Sequence, residues 1–136
     1  KRYPSVLSIK IKKTNFLALT KKNGKDYYIG SNGNMIEAKS NKVNLPFIFG
    51  VVEITEFLKF KKIIDDSKFN YKDVKNLYYF KSKRWDIETK NDLIIKLPIK
   101  NLKTSLEILS KIKNKKEFRD FKIIDLRQDN QIALNE

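Results

Sequence analysis

Ile123-Ile124-Asp125-Leu126-Arg127-Gln128-Asp129-Asn130-Gln131-Ile132-Ala133-Leu134-Asn135-Glu136 closes the chain. It reads as one strand, a short polar turn and a last strand. A strand at a chain end has no later segment to cover it, so it is expected at a sheet edge, with a row of unpaired N–H and C=O groups. Soluble proteins usually blunt such edges, yet this one ends in the apolar Ile132-Ala133-Leu134. The strand over 131–135 is therefore read as a docking site where another chain adds a strand. Arg127 is the candidate anchor, because a guanidinium grips a carboxylate with two bonds. Asp125, two residues earlier on the same strand face, offers the plainer alternative of an internal ion pair. Ile132 and Leu134 are expected to share the core face, with Ala133 on the other face, small enough to let a partner approach. A proline at Ala133 would then remove a donor from the edge.

The segments before this pair supply the rest of the sheet and its cover. A helix is expected over 101–112, with Asn101 as N-cap and Leu102, Leu106 and Leu109 on one stripe. Lys111, Lys113, Lys115 and Lys116 gather at its C-terminal end, where cations suit the helix dipole. Three strands precede it, over 76–80, 85–89 and 93–97. Trp85, Ile87 and Thr89 share one face of the middle strand, and Asp86 and Glu88 are expected on the exposed one. Lys83 and Arg84 sit in the turn that leads into it. An amphipathic helix over 53–65 carries Ile54, Phe57, Leu58 and Ile64 inward. Residues 41–50 read as a connector that packs down through Leu45-Pro46-Phe47-Ile48-Phe49. Before it lie a meander with strands at 16–19, 27–29 and 35–36, turned at Asn23-Gly24 and Asn32-Gly33, and a first strand over 5–12. The expected class is α+β: a mostly antiparallel sheet with two helices packed on it and a C-terminal edge strand.

The 136 residues suffice for one domain, and no apolar run is long enough to span a bilayer. The chain opens on Lys1 without an initiator Met, which reads as a piece of a longer protein. It has no Cys and no His, which removes thiolate chemistry, the commonest general base and the commonest metal ligands. No glycine-rich phosphate loop is present. No enzyme, cofactor or metal site is expected. The formal charge is +14, which raises a lysine-rich nucleic-acid-binding module as the alternative. Arginine, whose planar fork reads phosphates and bases, occurs only at Arg2, Arg84, Arg119 and Arg127. The excess is read as solvated surface, with no nucleic acid as partner.

Four strings together carry a family resemblance. Arg2-Tyr3-Pro4-Ser5-Val6-Leu7-Ser8-Ile9-Lys10-Ile11 resembles the run that ends the POTRA domain of the bacterial cell-division family FtsQ/DivIB. Leu45-Pro46-Phe47-Ile48-Phe49-Gly50 is similar to its L-P-x-L-x-G. Lys83-Arg84-Trp85-Asp86-Ile87-Glu88-Thr89 with Leu93 and Ile95 resembles its R-x-W hairpin. Ile124-Asp125-Leu126-Arg127 with Asn130 resembles its V-D-L-R-Y-x-N. Gln128 departs by standing where an aromatic is usual, and Pro98 by replacing a glycine. The resemblance implies that residues 1–13 are the last POTRA strand and connector, and that 14–136 form the β domain. It implies a non-enzymatic divisome scaffold whose full-length form is anchored in the inner membrane by a single helix absent from this chain, with this domain in the periplasm at the division septum. It implies capture of FtsB, in a coiled coil with FtsL, alongside other divisome proteins. The partner-binding set expected from both readings is Lys83, Arg84, Arg127, Gln128, Asn130, Gln131, Ile132, Ala133 and Leu134. Lys83 and Arg84 are expected to meet an acidic residue of the partner.

Overall fold

The computed structural model describes residues 15–38, 44–113, 120–128 and 132–135. The expected first strand, Lys115, Lys116, Asn130 and Gln131 lie outside them. The strands are β1 (Phe16–Lys22), β2 (Lys25–Gly30), β3 (Met35–Glu37), β4 (Phe47–Phe49), β5 (Val74–Tyr79), β6 (Trp85–Thr89), β7 (Ile94–Lys96), β8 (Ile123–Asp125) and β9 (Ala133–Asn135). They form one sheet in the order β3-β2-β1-β4-β5-β6-β7-β8-β9. Neighbours run parallel at β1/β4, β4/β5 and β7/β8 and antiparallel elsewhere. The sheet is thus mostly antiparallel, and β9 is its last strand.

Local chemistry explains the hairpins. Asn23 and Gly24 both stand at positive φ (56° and 79°), the conformation that a two-residue turn between twisted strands requires. Lys83 at φ 70° and Asp92 at φ 63° turn the chain between β5 and β6 and between β6 and β7. In the first of these, the Phe80 N–H donates to the Arg84 carbonyl at 3.0 Å.

The run through Phe47-Ile48-Phe49 is a strand, not a connector. It enters parallel between β1 and β5, with Leu19 beside Phe47 on one side and Asn76 beside Phe47 on the other. Phe47, Ile48 and Phe49 place apolar side chains on both faces of the strand, so it shows no alternation by which to recognise it. Gly50 ends it at φ 109°, where a Cβ would lie 2.2 Å from the Tyr79 carbonyl oxygen. Only a glycine fits there.

Two helices, α1 (Ile54–Asp66) and α2 (Leu102–Lys113), cover one face of the sheet. Phe57, Phe60 and Ile64 of α1 and Leu106, Leu109 and Ile112 of α2 join one core with Ile48, Leu77, Ile87, Ile95 and Ile124. Burying each such side chain contributes about 1.5–3 kcal/mol. Trp85 is the hub: its ring stacks on Phe60 at 4.3 Å and meets Phe57 at 6.3 Å. Tyr71, in a single 3-10 turn, donates to the Leu17 carbonyl at 2.7 Å, and burial raises its pKa. Asn101 takes the N-cap position, its carbonyl accepting from the Ser105 N–H at 3.0 Å, with its backbone left-handed at φ 59° where a cap is typically extended.

The registers also align side chains on the opposite face. Phe49, Tyr78, Asp86, Lys96, Asp125 and Ala133 stand side by side in one row across β4 to β9. Phe49 stacks on Tyr78 at 5.1 Å and meets the Phe47 ring at 4.8 Å with the two planes tilted.

Candidate functional site

The polar end of this row holds Ala133 of the expected binding residues and the two carboxylates, Asp86 and Asp125, that Arg84 and Arg127 bind. Asp125 and Arg127 flank Leu126, which is buried, so both project to the other side. The Arg127 side chain folds back on its neighbour: Nε donates to Asp125 Oδ1 at 2.8 Å and Nη2 to Oδ2 at 2.6 Å. The Arg127 backbone N–H adds a third bond to Oδ1 at 3.0 Å. These bonds hold the Asp125 carboxyl below the usual carboxylate range and raise the Arg127 pKa in turn. The Arg127 side chain remains 43 % exposed, so the pair sits at the surface with its fork already filled.

Arg84 is also engaged. It donates to Asp86 and lies over the Phe80 ring, 4.5 Å from its centroid. Asp86 is 6 % exposed, which corrects the expected solvent position. Its alternation opposite Trp85 is as expected, but Arg84 covers it. Burial raises its pKa, and the charges of Arg84, Lys96 and Arg127 pull against that rise. Lys83 is exposed in the turn, and Gln128 is exposed beyond Arg127. Lys96 escaped the sequence reading. It stands in register between Asp86 and Asp125, a placement that only strand pairing reveals.

The final strand pairs antiparallel with β8, Asp125 beside Ala133 and Ile124 beside Leu134. Leu134 is half-buried against the core, whereas Ile132 lies before the strand and is 42 % exposed. The expected core pair of Ile132 and Leu134 is therefore Leu134 alone. The direction of the backbone groups follows from two bonds. The Leu126 N–H donates to the Lys96 carbonyl, and the Ile94 N–H to the Lys122 carbonyl, both at 2.8 Å. Successive strand residues address opposite neighbours. Residues 122, 124 and 126 therefore serve β7, and Ile123 and Asp125 serve β9. Ala133 and Asn135 point inward to them, and the Leu134 N–H and C=O point to the side where no described strand pairs. A proline at Ala133 would break the β8–β9 ladder and leave the outer edge intact.

Among the described residues no cluster of acidic side chains is grouped to hold a metal ion. No helix there is long and apolar enough to cross a membrane. A family model described as cell division protein FtsQ/DivIB, C-terminal, matches residues 18–127. No curated protein matches the chain. Among solved structures, the chain is similar to the major extracytoplasmic domain of the trans isomer of the bacterial cell division protein DivIB from Geobacillus stearothermophilus. The TM-score is 0.52 at 10% identity, over 77% of this chain and 99% of that one. At that identity the likeness is one of fold.

Proposed function

The chain belongs to the FtsQ/DivIB family of cell-division proteins, and from that premise we propose that it is a non-enzymatic divisome scaffold that holds its partner by strand addition along β9. The observation that carries this reading is the outward-facing backbone of Leu134 at the end of a nine-stranded sheet. Main-chain pairing supplies affinity there, and neighbouring side chains select the partner. Arg127, Gln128, Ile132 and Ala133 surround that edge on the described residues, and Asn130 and Gln131 belong to the same proposal. In the family resemblance the partner is FtsB with FtsL. The domain acts outside the cytoplasm at the septum, 1–13 end a POTRA domain, and the full-length protein is anchored by one helix. A nucleic-acid role has less support, because Arg84 and Arg127 are both committed to internal carboxylates.

The test keeps every side chain. Joining a C-terminal peptide with N-methyl-Leu134 to the rest of the chain removes only the outward donor. Titration with an FtsB C-terminal peptide is expected to show binding weakened about tenfold, the worth of roughly one well-placed hydrogen bond. Equal affinity in a folded protein would sink the strand-addition reading.

A further inference from the structure

We infer that the cavity between the β1–β2 hairpin and the start of α1 is a binding site for a carboxylate carried on a short apolar chain. It lies by the first three strands, at the end of the sheet away from β9. Residues 20–23, Ile29, Met35 and residues 50–54 line about 450 Å³ of space, within the range of small-molecule sites. Ile29 belongs to the core, and Met35, Val52 and Ile54 pack against it, so one wall is apolar. Val51 lines the cavity too and is 97 % exposed, an apolar surface that an occupant would cover.

The polar end has two sources of donors. One is the start of α1, where Glu53 makes no capping bond with its side chain. The Phe57 N–H donates to the Glu53 carbonyl at 3.1 Å, and the N–H groups of Ile54, Thr55 and Glu56 before it donate to no described residue. They carry the positive end of the helix dipole, which favours an anion. The other is Thr20. Ala18 of the same strand is in the core, so alternation turns Thr20 to the helix-covered side, where it lines the cavity. Thr20 is 7 % exposed, and its hydroxyl has no hydrogen bond among the described residues. A hydroxyl buried without a partner is costly, and a ligand oxygen would relieve it.

Net charge does not choose the ligand. On the helix-covered side Lys22 stands opposite Lys25, Glu37 lies beside Tyr27, and Glu53 borders the cavity. These two cations and two carboxylates balance, as do Lys21 and Asp26 on the other face. Glu56 is held by Lys59 at 3.7 Å. The choice falls to the donors, three N–H groups and the Thr20 hydroxyl. A carboxylate is acceptor-only and fits them, whereas a more highly charged phosphate would meet stronger repulsion from Glu37 and Glu53. The apolar wall then selects a carboxylate with an apolar chain attached. A free aliphatic acid and the C-terminus of a peptide ending in an apolar residue share this chemistry.

The probe is isocaproate, titrated into the isotope-labelled chain. Saturable shifts are expected at the amides of Thr20, Ile54, Thr55 and Glu56 and at the methyl groups of Ile29 and Val52. Isohexanol, which lacks the carboxylate, and acetate, which lacks the chain, should each bind far less. Thr20→Val keeps the shape and removes only the hydroxyl. It should weaken isocaproate about tenfold while the melting temperature holds or rises, because no bond within the fold is lost. Glu53→Gln should tighten binding by removing the nearest repulsion. N-methylation of Leu134 should leave binding unchanged, which separates this site from the β9 edge. N-acetyl-leucine adds the peptide amide: tighter binding than isocaproate makes a peptide end the ligand, and weaker binding makes it the free acid. Absence of saturable shifts, shifts spread over surface lysines, or equal binding of isocaproate, isohexanol and acetate would overturn the inference. So would undiminished binding by Thr20→Val, or a lowered melting temperature in that variant.

Discussion

Asp86 and Asp125 stand one lysine apart in the same row, and their arginines put them in different situations. Asp86 is buried, so Arg84 offsets a desolvation cost that would otherwise fall on an unpaired charge. Arg84→Ala is expected to lower stability by about 3 kcal/mol in denaturant unfolding. Adding Asp86→Asn to that variant should recover part of the loss, and no recovery would mean that Arg84 acts through its packing on Phe80. Acid behaviour follows from the signs of the shifts. Asp125, with its carboxyl lowered by Arg127, and Glu88, lowered by Asn76 and Tyr78, add stability above the ordinary carboxylate range. They lose it as pH falls through their lowered values. Asp86, raised by burial, has the opposite slope, its folded form losing stability as pH rises through its raised value. Asp125→Asn is therefore expected to show a smaller fall in melting temperature on acidification than the parent, and an unchanged slope would remove the assignment. The alternation of Trp85, Asp86 and Ile87 was legible as a face. The burial of Asp86 was not, because a face is fixed by the strand itself and its cover by residues on the neighbouring turn.

The hairpins were legible because their turn residues carry their own requirement: Asn23-Gly24 needs no partner elsewhere to turn the chain. The helices were legible by their stripes, and α1 lies within a residue of its expected start. Phe60 was missing from that stripe, and it makes the closest ring contact with Trp85. Phe60→Ala is expected to cost about 3–5 kcal/mol, read from thermal or denaturant unfolding. The last strand was placed at the edge correctly, but which of its amides face outward depends on its pairing with β8. Ala133→Pro is therefore expected to release β9 from β8. Amide exchange should quicken at Asn135 and at Asp125 while β5 and β6 stay protected. Retained protection at those two positions would contradict the assigned alternation.

A formal charge of +14 over the whole chain suggests polyanions, yet phosphate binding by many lysines weakens steeply with salt. Filter binding to generic DNA or RNA is expected to be weak and to vanish at physiological salt. Tight binding that persisted with shallow salt dependence would point to a dedicated site. The α+β class and the helix-covered sheet were legible from the order of elements. The order of strands was not, because β4 joins its neighbours side by side in parallel, and no turn in the sequence records such a joint. That joint has a consequence for dissection. Among the described residues the β1–β2–β3 meander joins the rest of the sheet through β4 alone, and a break between Ala38 and Asn44 would cut none of the described strands. Two separately produced fragments, 1–38 and 44–136, are expected to reassemble on mixing, with the exposed β4 edge as template and recovery of Trp85 fluorescence as readout. Until they meet, the larger fragment would expose the apolar β4 edge that β1 covers in the intact chain, and it should polymerise.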